Sequence, residues 1–97
     1  MQQVLKSISD PTRRRILELL RERPRTAGEI AEHFPHAKPT LSRHLAVLRE
    51  ADLVHGEKKG TTITYHLHLT VLEDALVALM GTFDLLRERE PQSGRGA

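Results

Sequence analysis

Lys38-Pro-Thr-Leu-Ser-Arg-His-Leu-Ala-Val-Leu-Arg-Glu-Ala51 is the stretch that decides the fold. Leu41, Leu45 and Leu48 recur at helical spacing on one stripe, which leaves Pro39, Thr40, Arg43 and Ala46 largely on the opposite face. Immediately upstream, Thr26-Ala-Gly-Glu29 reads as a capping box opening a shorter helix that turns Ile30, Ala31 and Phe34 inward. Pro35-His36-Ala37 is the turn between the two. Downstream, residues 53–67 switch to period two around a basic tip, Lys58-Lys59-Gly60. If Lys59-Gly60 is the two-residue loop, Val54 opposes Tyr65 and Gly56 opposes Ile63 on the buried face, with Thr62, Thr64 and His66 outward.

A helix pair followed by a charged two-stranded ribbon is the plan of a winged helix-turn-helix, which offers one helix to the DNA major groove and the ribbon to the flanking backbone or minor groove. The expected class is mainly α (α+β), with about five helices plus a two-stranded β-hairpin wing. A first helix covers Gln2 to Ile8, with Val4, Leu5 and Ile8 on one stripe. Asp10 then caps a second helix, and Pro11 stands at its first position, where the missing N–H costs nothing. That helix runs to about Arg23, faces Ile16, Leu17, Leu19 and Leu20 to the core, and stops before Pro24. Thr70-Val-Leu-Glu73 reads as a second capping box that starts a helix to about Arg89. Along it Leu72, Leu76, Leu79, Phe83 and Leu86 repeat at near-heptad spacing, beside a second apolar stripe of Val71, Ala75 and Ala78. Residues 1–89 are thus expected to form one DNA-binding and dimerisation domain. Residues 90–97, rich in Gly, Pro and Ser, are expected to be a disordered tail.

Composition narrows the function. Ninety-seven residues make one small domain, for which self-association is a common source of added stability. The absence of cysteine removes disulfides, thiolate metal sites and thiol redox sensing. No signal peptide and no membrane-length apolar run is visible, so a soluble cytoplasmic protein with no membrane partner is expected. The net charge of +2 is unevenly spread: residues 1–60 carry +4 and residues 61–97 carry −2, so the basic half holds the helix-turn-helix.

Lys38, Thr40, Ser42 and Arg43 crowd the first turn and a half of the deciding helix, which suits hydroxyl contacts to phosphate and base edges and an Arg contact to guanine O6 and N7. Ordinary exposed polar residues are the competing reading, and the surrounding elements favour DNA. Pro39 at the same helix start and Thr26 at the preceding one join the contact candidates. His44 lies on the shoulder of the Leu stripe, where a structural histidine and a phosphate contact are equally supported. Lys58 and Lys59 suit phosphate or the minor groove, or else protect the ribbon edge from aggregation.

Ser9-Asp-Pro-Thr-Arg-Arg-Arg-Ile-Leu-Glu-Leu-Leu20 resembles the second-helix signature of the ArsR-type bacterial repressors, whose best-known members sense arsenic or zinc. Lys38 through Val54 is similar to that family's recognition helix, and Lys58-Lys-Gly60 through Tyr65-His-Leu67 is similar to its wing. The three signatures occur in the family's order and span about residues 2–85. The resemblance implies a homodimeric repressor on a palindromic operator, with the first and last helices forming the dimer interface. Thr61 stands where many members carry Arg, which implies a weaker minor-groove contact here. Where metal-binding members carry Cys-x-Cys, this chain has Thr26 and Gly28, and its last helix has Glu73, Asp74 and Asp84 but no histidine. The resemblance is therefore to the metal-independent, autorepressor-like branch, with no metal and no cofactor.

Outside those positions, His33 and His36 flank the turn, and His66-x-His68 would put two rings on one strand face, able to bind Zn²⁺ only with a third ligand. Solvated or hydrogen-bonded histidines are the better-supported reading. No phosphate loop, nucleophile–base pair or spaced carboxylate pair points to an enzyme. Two apolar stripes exceed what a single small core needs, so Val4, Leu5, Leu72, Leu76, Leu79, Met80 and Phe83 are expected at a homodimer interface. The leading expectation is a sequence-specific DNA-binding repressor on double-stranded operator DNA, its effector not legible. Its rivals are a metal- or ligand-responsive sensor using a histidine site, and a winged-helix protein-interaction module.

Overall fold

The structure, a computed structural model, describes residues 1–88; the expected tail at 90–97 and the expected domain end at Arg89 lie outside the described residues. Helix α1 is Gln2–Ile8 and α2 is Pro11–Glu22, the latter capped by Asp10, whose carboxylate accepts the Arg13 N–H at 3.0 Å. A two-residue strand β1, Arg25–Thr26, leads into α3, Ala27–Ala31. The Thr26 capping box forms in full: Glu29 N–H donates to Thr26 Oγ1 at 3.1 Å and Thr26 N–H donates to Glu29 Oε1 at 2.8 Å. Helix α4 is Lys38–Glu50, followed by β2 (Val54–Lys59), β3 (Thr62–Leu67), α5 (Leu69–Thr82) and the short α6 (Leu85–Glu88).

The core gathers one stripe from each element. Ile16, Ile30, Leu48 and Leu53 are fully buried, joined by Val4, Leu17, Leu20, Leu45, Val54 and Tyr65, with Phe34, Leu67, Val71, Leu72 and Ala75 packed against them. Leu41, Leu45 and Leu48 all face inward, so the polar face of α4 is left outside. Val4 is taken up by its own chain's core at 6% exposure, which corrects its expected place at a subunit contact.

Four expectations about the strands and last helix are corrected. The sheet has three antiparallel strands in the order β1-β3-β2, because Arg25 and Thr26 pair with Tyr65 and Thr64 along the free edge of the hairpin. The hairpin register is also shifted: Val54 pairs with Leu67 and Gly56 with Tyr65. Gly60 adopts φ +61 as the first central residue, so the loop is Gly60-Thr61 and Lys59 pairs with Thr62. Because the shift is two residues, every side chain keeps its expected face.

Finally, the expected cap at Thr70 does not form. His68 is the N-cap of α5, held by its N–H to Leu53 O at 2.8 Å, and Thr70 is already inside the first turn. Helix α5 then stops at Thr82, so the expected continuous helix to Arg89 is broken. Gly81 and Thr82 are weak helix formers, Thr82 Oγ1 bonds back to Ala78 O at 3.0 Å, and Asp84 turns left-handed with φ 59.

Candidate nucleic-acid interface

Helix α4 carries its polar residues where the core cannot use them. Lys38 and Pro39 open the helix and are exposed, Ser42 and Arg43 are exposed one turn on, and Thr40 is half-buried between them. Ala37 at the N-cap offers no side-chain cap bond; Pro39 has no N–H and Thr40 N–H donates to Ala37 O at 3.1 Å, so in the first turn the Lys38 amide is the one left for solvent or an anion. A cationic Lys38, two hydroxyls and Arg43 around that helix start form a short front of donors, with no ion pair to a carboxylate among the described residues.

The other candidates divide. Lys58 and Lys59 are both exposed but alternate across the ribbon, so they point to opposite faces; Lys59 Nζ lies 3.8 Å from Glu57 Oε1 with its side chain 83% exposed. Thr26 is half-buried with its hydroxyl committed to the α3 cap. His44 sits between α2 and α4 with 17% of its side chain exposed: Arg13 Nη1 donates to its Nδ1 at 3.2 Å, and Asp10 Oδ2 lies 3.9 Å away. The geometry favours the packing role left open for His44.

Two carboxylates beside these helix starts are held below their ordinary values. Burial pushes the Asp10 carboxyl up, but the Arg13 amide bond and the nearby His44 and Arg13 side chains outweigh it. Glu29 is lowered chiefly by the Thr26 amide it accepts, with Arg23 adding to the effect against a smaller desolvation cost.

Sequence reasoning missed two groups. Arg25 is buried at 8%, donating through Nε to Leu19 O at 3.1 Å and through Nη2 to Glu22 Oε1 at 2.7 Å, which closes the end of α2; its signal was the β1 pairing, too short to leave a period. His55 was hidden by the register, since only the observed pairing sets it opposite His66. His55, His66 and His68 then form a stack, with ring centroids 4.9 and 4.5 Å apart and planes 8° and 25° from parallel. His68 Nδ1 donates to Asp52 O at 2.9 Å, so its Nε2 accepts from His55 Nδ1 at 2.6 Å. Among the described residues no group of three or more His, Cys, Asp or Glu side chains is arranged to hold a metal ion.

Helix α5 bears no buried residue although it is strongly apolar. Val71, Leu72 and Ala75 rest against the core, while Leu76, Val77 and Phe83 are 39%, 52% and 64% exposed, followed by exposed Leu85 and Leu86. Leu5, Leu79 and Met80 are half-buried. No helix among the described residues is long and apolar enough to cross a membrane.

Known proteins share this arrangement. Residues 10–55, from the α2 cap to the start of the wing, match the family described as bacterial regulatory protein, arsR family. The chain is 50% identical over 76 residues to the transcriptional repressor SdpR of Bacillus subtilis, covering 78% of this chain and 84% of that protein. It is 37% identical over 73 residues to an arsenical resistance operon repressor of Staphylococcus aureus, covering 75% and 70%. An ArsR-like transcriptional regulator from Rhodococcus superposes with a TM-score of 0.77 at 26% identity, over 91% of this chain and 83% of that one. A capped α2, an outward polar front on α4 and a basic wing, in this order and with these relatives, make the chain a member of the ArsR family of bacterial regulatory proteins, a DNA-binding regulator and not an enzyme.

Proposed function

We propose that this protein represses transcription in the cytoplasm as a homodimer seated on a two-fold-symmetric operator, without a bound metal. The observation that carries the reading is the outward front of α4, where Lys38, Thr40, Ser42 and Arg43 surround an uncapped helix start. Arg43 reads a base edge in the major groove, the hydroxyls and Lys38 hold phosphate, and Lys58 and Lys59 anchor the wing on flanking phosphates. Occupation of a promoter then blocks polymerase.

The exposed apolar face of α5 supports the dimer. Leu76, Val77, Leu79, Met80 and Phe83 form a continuous surface that the chain's own core does not cover, with Leu5 of α1 as a candidate flank. A second copy is its simplest cover, because an isologous contact presents two recognition helices to one duplex. Thr26 and Gly28, in place of a cysteine pair, support action without metal. Titration of operator DNA tests the contact assignment. Arg43→Ala is expected to weaken binding by about tenfold and to relax preference at one position. Lys59→Ala is expected to weaken binding evenly across sequences and to lower the salt slope by about one. If neither change alters binding, the contacts are misassigned. Zn²⁺ that binds stoichiometrically and shifts operator affinity would remove the metal-free part of the proposal.

A further inference from the structure

Arg13 joins three helices through one side chain. It stands in the first turn of α2, where its backbone N–H completes the Asp10 cap. Its Nε donates to Ser7 O at 2.7 Å and its Nη2 to Lys6 O at 3.0 Å, a carbonyl that the Ser9 N–H and hydroxyl also reach, so the side chain ties down the end of α1. Its Nη1 reaches across to His44 Nδ1 on α4 at 3.2 Å. Each of the three guanidinium nitrogens thus makes one bond within the chain. Arg13 donates, so His44 must offer a lone pair at Nδ1, and its remaining proton is on Nε2. His44 is also the immediate neighbour of Arg43 and lies one turn beyond Thr40.

We infer that Arg13, acting through His44, is a positioning residue for DNA recognition: it fixes how α4 leans on the α1–α2 corner and so the angle at which the front of α4 meets the groove. The inference rests on the DNA-binding reading above for its consequence, and on the three hydrogen bonds for its geometry. Capping α1 would need only the two carbonyl bonds. The third bond has no part in that cap, and its acceptor is on the recognition helix. Lysine cannot replace the arrangement, because one ammonium does not reproduce a planar fork spread over three acceptors.

The test uses the full chain with three variants, Arg13→Lys, His44→Ala and His44→Asn, titrated against the duplex recovered by fragment selection and against a random duplex of equal length. In His44→Asn the amide oxygen takes the place of Nδ1. Arg13→Lys and His44→Ala should weaken binding to the selected duplex by about tenfold. Neither should change random-duplex affinity or the salt slope, and His44→Asn should recover most of the loss. A random-duplex affinity lowered in Arg13→Lys as far as the selected-duplex affinity would make Arg13 a phosphate contact and overturn the inference. So would His44→Ala binding as tightly as the parent, or His44→Asn binding as weakly as His44→Ala. Amide exchange of the free protein separates the two layers. Residues 41–48 should exchange about tenfold faster in Arg13→Lys and His44→Ala, with the hairpin unchanged. If that holds while no duplex is bound specifically, the positioning role stands and the DNA reading fails; unchanged α4 exchange overturns the positioning role.

Discussion

At the scale of single residues, the stability of this small domain depends on a few polar side chains that close helix ends. The reciprocal Thr26–Glu29 bonds satisfy two amides at the start of α3, a helix of only five residues. Thr26→Ala should therefore cost about 1 kcal/mol, read as a lower urea midpoint with an unchanged slope. Asp10 and Glu29 are both held below their ordinary values in the folded chain. A lowered carboxyl stabilises the fold above its unfolded value and loses that contribution as pH falls through the folded one. Thermal stability should thus decline as pH drops below about 4.5. Asp10→Asn, which keeps an acceptor at the cap, should flatten part of that decline in a calorimetric pH series. Both caps were legible, because a capping box and an Asp-Pro start are local patterns. Arg13 and Arg25 were not, since their acceptors are main-chain oxygens and a distant His44 that only the tertiary fold brings near.

At the scale of elements, the two-residue shift of the hairpin shows where sequence patterning stops. Period two fixed which face each side chain takes, and those faces are the observed ones. It did not fix the pairing, which turned on whether Gly60 closes or opens the two-residue loop. With Gly60 first at φ +61, substitution to a β-branched residue should strain the tip; Gly60→Val is expected to destabilise the domain and raise amide exchange across β2 and β3. Gly56 is a second constraint of a different kind: a Cβ there would lie 2.8 Å from Ile63 Cγ2, so the strand needs a residue without a side chain opposite Tyr65. The α4 stripe was read correctly because three leucines in register leave no competing face. Leu48 is fully buried beneath it, and Leu48→Ala should cost about 2–5 kcal/mol in a denaturant titration. The end of α5 was misread for the opposite reason. Its apolar repeat runs on past Thr82, and the left-handed Asp84 leaves no periodic mark.

At the scale of the molecule, the proposed homodimer would cover the apolar face that α5 leaves exposed. Leu76→Glu or Phe83→Glu should convert a dimer to a monomer in sedimentation without changing helical content. Operator affinity should fall by about a hundredfold or more, as the second recognition helix is lost. Residues at the front of α4 are far less costly to the fold, being exposed or half-exposed, so their substitution should change binding and leave stability nearly untouched. The most direct measurement is selection of bound fragments from a genomic DNA pool by the 97-residue chain at moderate salt. Recovered fragments should share a two-fold-symmetric sequence whose half-sites lie about 10 base pairs, or a small multiple, apart. Recovery of no sequence beyond the input pool, or of winners without two-fold symmetry, would contradict paired entry of α4 into the major groove.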